Sequence, residues 1–467
     1  MLGALAGCRT SRKVQTPEFA SLARLPLVAS VSPAAVARAV DPQVPQLAGP
    51  HPVDQYVQFA LLQNPDIQSK RNRVEAAAQR VPQAASLRDP TATVSGYPFS
   101  SYALQTANGR LTANLAASQE VPWFGKLETR AQAAEAEVNV ARAELAATEL
   151  EVIEQVKRAY YELHFVEKSI AITAESRRLA VDLSRIAEAR FKAAQVSQQD
   201  YLRAEVTVYN VDAELIRLRE ELQLAQARLA RLLHISPDTP LRTLPELADE
   251  ELPTDLQRLY ERAIAARPEL HAQLAAIQRD RHAVRLAQLQ YFPDVTFSGS
   301  WGAVTTNRAV ALAADGRDFA QFGIMANIPI YRKRLQAGVR EAESKTVASA
   351  RQYDSLRDKT QQEVKDLFVE INAQRDLLRV FDTQIVPVAE QTLRVSIPAY
   401  ESGQTDVLQL LDNWRDVLRF QIMQQRLEAQ VRQSLASLDR VIGTFTVSDP
   451  TTRRLPETIP PPEGSTP

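Results

Sequence analysis

This chain repeats itself, and no other feature of it limits the possible folds as much. Asn64-Pro65-Asp66-Ile67 returns as Arg267-Pro268-Glu269-Leu270, and Asp89-Pro90 returns as Phe292-Pro293, both pairs of prolines lying 203 residues apart. The same offset carries Thr93-Val94-Ser95-Gly96 onto Thr296-Phe297-Ser298-Gly299 without a gap. The offset becomes 207 where Ala107-Asn108-Gly109-Arg110 meets Ala314-Asp315-Gly316-Arg317 and Pro122-Trp123-Phe124-Gly125-Lys126 meets Pro329-Ile330-Tyr331-Arg332-Lys333. It is near 208 at Glu154-Gln155-Val156-Lys157 and Gln362-Glu363-Val364-Lys365, and 209 at Phe191-Lys192-Ala193-Ala194-Gln195 and Tyr400-Glu401-Ser402-Gly403-Gln404. The chain is a tandem duplication, so any fold assigned to one half must serve the other.

Within each half the hydrophobic period changes. A polar helix between Pro65 and Pro90 gives way to a period of two. From Leu111 to Val121 the odd positions read Leu, Ala, Leu, Ala, Gln, Val and the even ones Thr, Asn, Ala, Ser, Glu. Ala320, Phe322, Ile324, Ala326 and Ile328 keep the apolar face in the second copy. Each half is therefore expected to carry a β-hairpin, at about 91–122 and about 294–329. The turns fall at Asn108-Gly109 and Asp315-Gly316, dipeptides that tolerate positive φ at both central positions. Tyr97, Phe99, Trp123 and Phe124 in the first copy, with Phe292, Trp301, Phe319 and Tyr331 in the second, resemble the aromatic girdles of a membrane barrel.

After Lys126 apolar residues recur at spacings of three and four, through Leu127, Ala131, Ala134, Val138, Ala141, Leu145, Val152, Val156, Ala159, Leu163, Val166 and Ile170. A helix over 126–195 would be about 105 Å long at roughly 1.5 Å per residue. A return helix follows over 198–233, then a proline-rich loop at 234–254. The second copy, 255–443, repeats the pattern with a long helix over 333–402 and a return helix over 404–442. A first helix over about 52–87 completes the first copy, 52–233. Residues 1–51 form a leader and 444–467 a Pro-rich tail, both expected to be extended.

The charge balance, 55 basic against 56 acidic residues, leaves no basic field for nucleic acid. No window approaches the roughly 20 apolar residues of a transmembrane helix, so strands must make any membrane crossing. Four strands leave open edges, which hydrocarbon does not tolerate, so copies must assemble. Three would supply twelve strands. The fold class expected is mainly α with a membrane β-barrel contribution, its long coiled-coil helices forming an α-barrel.

The order helix, hairpin, long helix, return helix, given twice with proline at the strand starts, resembles the TolC family of outer-membrane efflux proteins over about residues 52–443. The most specific match is Tyr400-Glu401-Ser402-Gly403-Gln404-Thr405-Asp406-Val407-Leu408-Gln409-Leu410-Leu411-Asp412, similar to that family's helix-turn-helix tip. The resemblance implies a homotrimeric duct in outer-membrane lipid that extends into the periplasm. Its tips, Phe191, Ala194 and Gln195 in the first copy and Tyr400, Gly403 and Gln404 in the second, would meet a periplasmic membrane-fusion adaptor. An inner-membrane pump, of RND type ahead of ABC type, would drive export. The resemblance also places Gln409 and Asp412 at a cation-preferring periplasmic gate, and the leader and tail at the waist of the helical part. Ala194 departs from the tip pattern, which has glycine there. Leu5-Ala6-Gly7-Cys8 resembles a lipobox and implies acylation of Cys8. Only seven residues precede it, fewer than a signal peptide needs, so the true start is expected upstream.

Catalysis has no candidate residues. A phosphate loop, a Gly-rich dinucleotide turn and His-Glu-x-x-His are all missing, and His51, His164, His234, His271 and His282 are scattered. No cofactor or metal is expected. A soluble coiled-coil scaffold or a periplasmic adaptor is the competing reading. A scaffold leaves the paired hairpins unexplained, and an adaptor has one helical hairpin and a β-rich half.

Overall fold

The computed structural model describes residues 49–97, 104–247, 254–307, 309 and 314–443. Cys8, Phe99 and residues 444–467 lie outside these. After strand β1 (Gly49–His51), the first half runs through helices α1 (Val53–Gln63), α2 (Pro65–Ala78) and α3 (Arg80–Ala85). Strands β2 (Thr91–Gly96), β3 (Gln105–Thr106) and β4 (Gly109–Val121) follow, then α4 (Lys126–Lys192) and α5 (Gln198–Leu233). Beyond β5 (Leu241–Thr243), the second half repeats the order with α6 (Leu256–Ala266), α7 (Pro268–Leu289), β6 (Val295–Thr305), β7 (Phe319–Ala326), α8 (Arg332–Val380), α9 (Val386–Glu401) and α10 (Val407–Ile442). The chain is mainly helical.

Helix starts follow local chemistry. Pro65 and Pro268 occupy the first helical position of α2 and α7, where a missing N–H costs nothing. Each also ends the helix before it. The single first helix expected over 52–87 is three shorter ones, divided at Pro65 and again at Gln79, three residues before Pro82, which has no N–H to give the Ala78 carbonyl. Asn64 caps α2 by accepting from the Asp66 amide at 2.9 Å.

The 67 residues of α4 span about 100 Å. This helix packs against α1, α2, α3, α5, α7 and α10. Val138, Val152, Val156, Leu163 and Val166 of the expected seam are buried, but so are Leu150, Ile153, Tyr160, Tyr161 and Phe165. The apolar surface is wider than a two-helix seam because neighbours lie on several sides.

The continuous helix expected over 333–402 is instead interrupted by a π turn at Phe381–Ile385. Two causes coincide there. The repeat offset grows by one residue between Val364 and Tyr400, and one extra residue in an α-helix is absorbed as a π turn. Pro387 lacks the N–H that an α-turn would direct to the Thr383 carbonyl.

In the loop expected at 234–254, β5 pairs in parallel with β1. Tyr56 donates to the Arg242 carbonyl at 2.9 Å and Tyr160 to the His51 carbonyl at 3.0 Å, sealing this short ladder. Burial pushes the Tyr56 phenol up to about 12. His164 is buried, with Nδ1 3.0 Å from the Thr243 hydroxyl, and desolvation lowers it to about 4.

Candidate functional site

Strands β2, β4, β6 and β7 form an antiparallel sheet in that order, with β3 extending the β2 edge beside β4. Val94 stands opposite Leu115, Leu115 opposite Trp301, and Trp301 opposite Ala320. The next row on this face is Ala92, Ala117, Gly299 and Phe322, and Gln119, Phe297 and Ile324 follow. Apart from Gln119 the face is apolar from edge to edge, and it is unburied: Val94 is 77 % exposed, Phe322 89 % and Ile324 76 %. The opposite face carries Thr93, Ala116, Ser300 and Gln321 in one row and Thr91, Ser118 and Ser298 in another. A sheet with one apolar and one polar face can separate hydrocarbon from water, as the wall of a membrane barrel does. Both of its edges, β2 and β7, lack partners among the described residues.

The two expected turns differ. Ala107-Asn108 connects β3 to β4, with Gly109 at φ +141 beginning β4. Asp315-Gly316 is not a tight hairpin turn, because β6 ends at Thr305 and β7 starts at Phe319. It lies in this longer connection, where Gly316 at φ +72 donates its amide to the Asn108 carbonyl at 2.8 Å. Of the aromatic residues, Phe124 and Tyr331 lie exposed between strand and helix, whereas Trp301 sits inside β6 on the apolar face rather than at a strand end.

At the foot of the sheet, Trp123 and Phe292 stack with centroids 5.4 Å apart. Beneath them the Lys126 ammonium, 1 % exposed, donates to the Asp294 carboxylate at 2.7 Å and the Phe292 carbonyl at 3.0 Å. The same carboxylate accepts from the Trp123 amide at 2.8 Å. Sequence reading missed this clasp; the only sign of it is a lysine ending the aromatic run Trp123-Phe124.

At the far end, the α4–α5 and α9–α10 turns are built alike. Ala194 at φ +54 and Gly403 at φ +81 each take the left-handed conformation that ends the helix. The Gln195 amide donates back to the Arg190 carbonyl at 2.9 Å, and the Gln404 amide to the Ala399 carbonyl at 2.8 Å. Ala194 therefore keeps the turn in spite of its Cβ. Ser197 and Asp200 form a capping box on α5, and Asp406 caps α10 through the Gln409 amide at 2.8 Å.

Tyr400 is buried with Ala180, Leu183, Leu410 and Trp414, while Phe191 stacks on Tyr201 at 6.1 Å. Arg190 joins the two turns by donating to the Tyr400 carbonyl, its guanidinium 4.8 Å from the Tyr400 ring centre. Burial raises the Tyr400 phenol.

Gln409 and Asp412 share the exposed side of α10, opposite the buried Val407, Leu410, Leu411 and Trp414. Asp412 pairs with Arg415 at 3.3 Å, and Gln409 donates to Asn413 at 3.1 Å. Among the described residues no cluster of His, Cys, Asp and Glu could hold a metal ion, and no helix is long and apolar enough to cross a membrane.

The family model described as outer membrane efflux protein matches residues 56–233 and 259–444. Nodulation protein T of Rhizobium leguminosarum bv. trifolii is 23% identical over 408 residues, covering 83% of this chain and 85% of that protein. The cobalt-zinc-cadmium resistance protein CzcC of Cupriavidus metallidurans is 23% identical over 333 residues, covering 68% of this chain and 74% of that protein. The crystal structure of the outer membrane protein VceC from Vibrio cholerae superposes with a TM-score of 0.69 at 21% identity, over 84% of this chain and 96% of that one.

Proposed function

The chain belongs to the outer membrane efflux protein family, and from that premise we propose that three copies close into one passive duct of a tripartite efflux system. The duct receives substrate from a periplasmic adaptor and an inner-membrane pump and delivers it outside. The two-faced sheet with open edges carries this reading, because an apolar face of that extent is stable in lipid only once its edges are paired.

The duplication supplies the partner for each edge. Inside one chain, the second strand of the first half (β4) pairs with the first strand of the second half (β6). Between copies, the same relation brings β7 against β2 of the next chain. Gln119 faces Phe297 and Val121 faces Val295 within the chain. Moving these by the repeat offsets of 207 and 203 sets Ala326 against Val94 and Ile328 against Ala92, all on the apolar face.

The long helices agree with this arrangement. Tyr161 of α4 is 2 % exposed, while Val369, 208 residues further on in α8, is 51 % exposed. In the assembly α8 gains the neighbours that α4 already has.

The turns at Ala194 and Gly403 are the adaptor-contacting end, and Gln409 and Asp412 line the entrance, where Asp412 from three copies favours cations. The cargo follows the pump. Cys8, acylated, anchors the chain to the same membrane. The mass of the purified protein in detergent tests the assembly: three chains are expected, and a monomer that stays in solution without detergent contradicts the duct.

A further inference from the structure

We propose that α8 of one copy is joined to α5 of the next by two arginine–carboxylate pairs, Asp366 with Arg228 and Glu370 with Arg217, an inference that rests on the assembly of copies into a duct. The template lies inside the chain, where α4 of the first half packs against α10 of the second. Four polar contacts mark that seam: Glu154 with Arg440 at 2.6 Å, Lys157 with Asp439 at 3.0 Å, Arg158 with Ser437 at 3.1 Å and Glu162 with Arg426 at 2.8 Å.

The duplication fixes where these contacts fall between copies. Helices α5 and α10 are both 36 residues long, and their N-caps, Ser197 and Asp406, stand 209 apart, as do their C-caps, His234 and Gly443. Val156 and Val364, and Leu163 and Ile371, are buried at matching positions 208 apart, which sets α4 on α8. Shifted by these offsets, the four contacts become Gln362 with Arg231, Lys365 with Ala230, Asp366 with Arg228, and Glu370 with Arg217. No row sets like charges together. In the third row both sides have changed: a basic residue has become acidic, and the serine facing it has become an arginine.

The two arginines and two carboxylates are exposed in the single chain, so the next copy can reach them. Arg217 is also held by Glu214 and Glu221 of its own helix, which leaves Arg228 with Asp366 as the cleaner pair to test. Packing contributes less between copies than within one. The apolar cluster of Phe165, Val166 and Ala429 in the template has Ala373, Gln374 and Glu220 as its counterparts. Charge therefore carries more of the α5–α8 seam, and salt should weaken it.

The half-life of the full-length trimer at a fixed elevated temperature in non-ionic detergent tests the pair through Arg228→Glu, Asp366→Arg and their combination. An exposed pair contributes up to about fivefold and three seams act together, so each single reversal should shorten the half-life at least about fivefold and the combination restore it to within about twofold. At about 1 M salt, where screening acts within roughly 3 Å, the single variants should approach the wild type. Geometry is read separately in a Cys8→Ser background. A short bis-maleimide should join copies through Arg228→Cys with Asp366→Cys, and far less through Arg231→Cys with Glu370→Cys, about 12 Å out of register. Reversals that change nothing, a combination that fails to rescue, or cross-links no better in the first cysteine pair than in the second overturn the proposal. A wild type that is a monomer in detergent removes the duct and the seam together, whereas a trimer without these pairs removes the seam alone.

Discussion

Lys126 Nζ lies 2.7 Å from Asp294 Oδ1 and ties the first residue of the long helix in one half to the residue before the first strand of the other. The ammonium is almost wholly buried and the carboxylate mostly so, and two further groups bond to the pair. Removing one partner leaves a buried charge without compensation, which costs about 3–5 kcal/mol. Asp294→Ala should therefore lower the denaturation midpoint in detergent more than Lys126→Met does, because it strands the more deeply buried charge. The double variant should be less destabilised than the sum of the two. Strict additivity in denaturant titrations contradicts the clasp.

Ala194 holds a left-handed conformation that costs a residue with a Cβ roughly 1 kcal/mol. Ala194→Gly should accordingly leave the fold unchanged and raise stability by up to about that amount, measured as a shift in thermal midpoint. Gly403→Val acts in the opposite sense. A Cβ at this position would lie 3.2 Å from Arg190 Nη2 at φ +81, so the second turn should be displaced and export impaired while membrane insertion persists. Normal export in that variant removes Gly403 from the adaptor contact.

The period of two in Leu111–Val121 and the three-four spacing after Lys126 made the sheet and the long helices legible, because each pattern is local and repeats over many residues. The β1–β5 ladder was not legible, since three-residue strands are too short to show a period and their pairing joins Gly49 to Leu241. The π turn was half visible: the offset change before Tyr400 announces one extra residue, but only packing decides where the helix absorbs it. Lys126 with Asp294 and Arg190 with Tyr400 are single long-range pairings, which no periodicity carries. At the tip, glycine and polar turn residues marked Gly403, whereas Ala194 takes the same backbone with no residue to announce it.

His164 is held neutral by burial, its pKa lowered from 6.5 to about 4. The unfolded chain binds the proton first, so stability is fully present above the unfolded value and falls as pH drops from about 6.5 toward 4. The thermal midpoint of His164→Asn should change less over that window than the wild type's. Parallel pH profiles for the two proteins would show that another group controls the acid transition.

The copy interface can be read by cross-linking in a Cys8→Ser background. Cysteines at Val94 and Ala326 should give oxidised dimers and trimers, while Val94 combined with Ile324 or Ile328, one pair out of register, should give far less. Cross-linking only in a shifted pair overturns the register but keeps the assembly, whereas no cross-link in any pair, together with a monomeric mass, removes both.

Conductance of single protein units in a planar bilayer tests the duct most directly. The account predicts a small, cation-preferring conductance from a trimer, and a larger conductance with weaker cation preference in Asp412→Ala. A protein that never conducts under any applied voltage and remains a water-soluble monomer would contradict it.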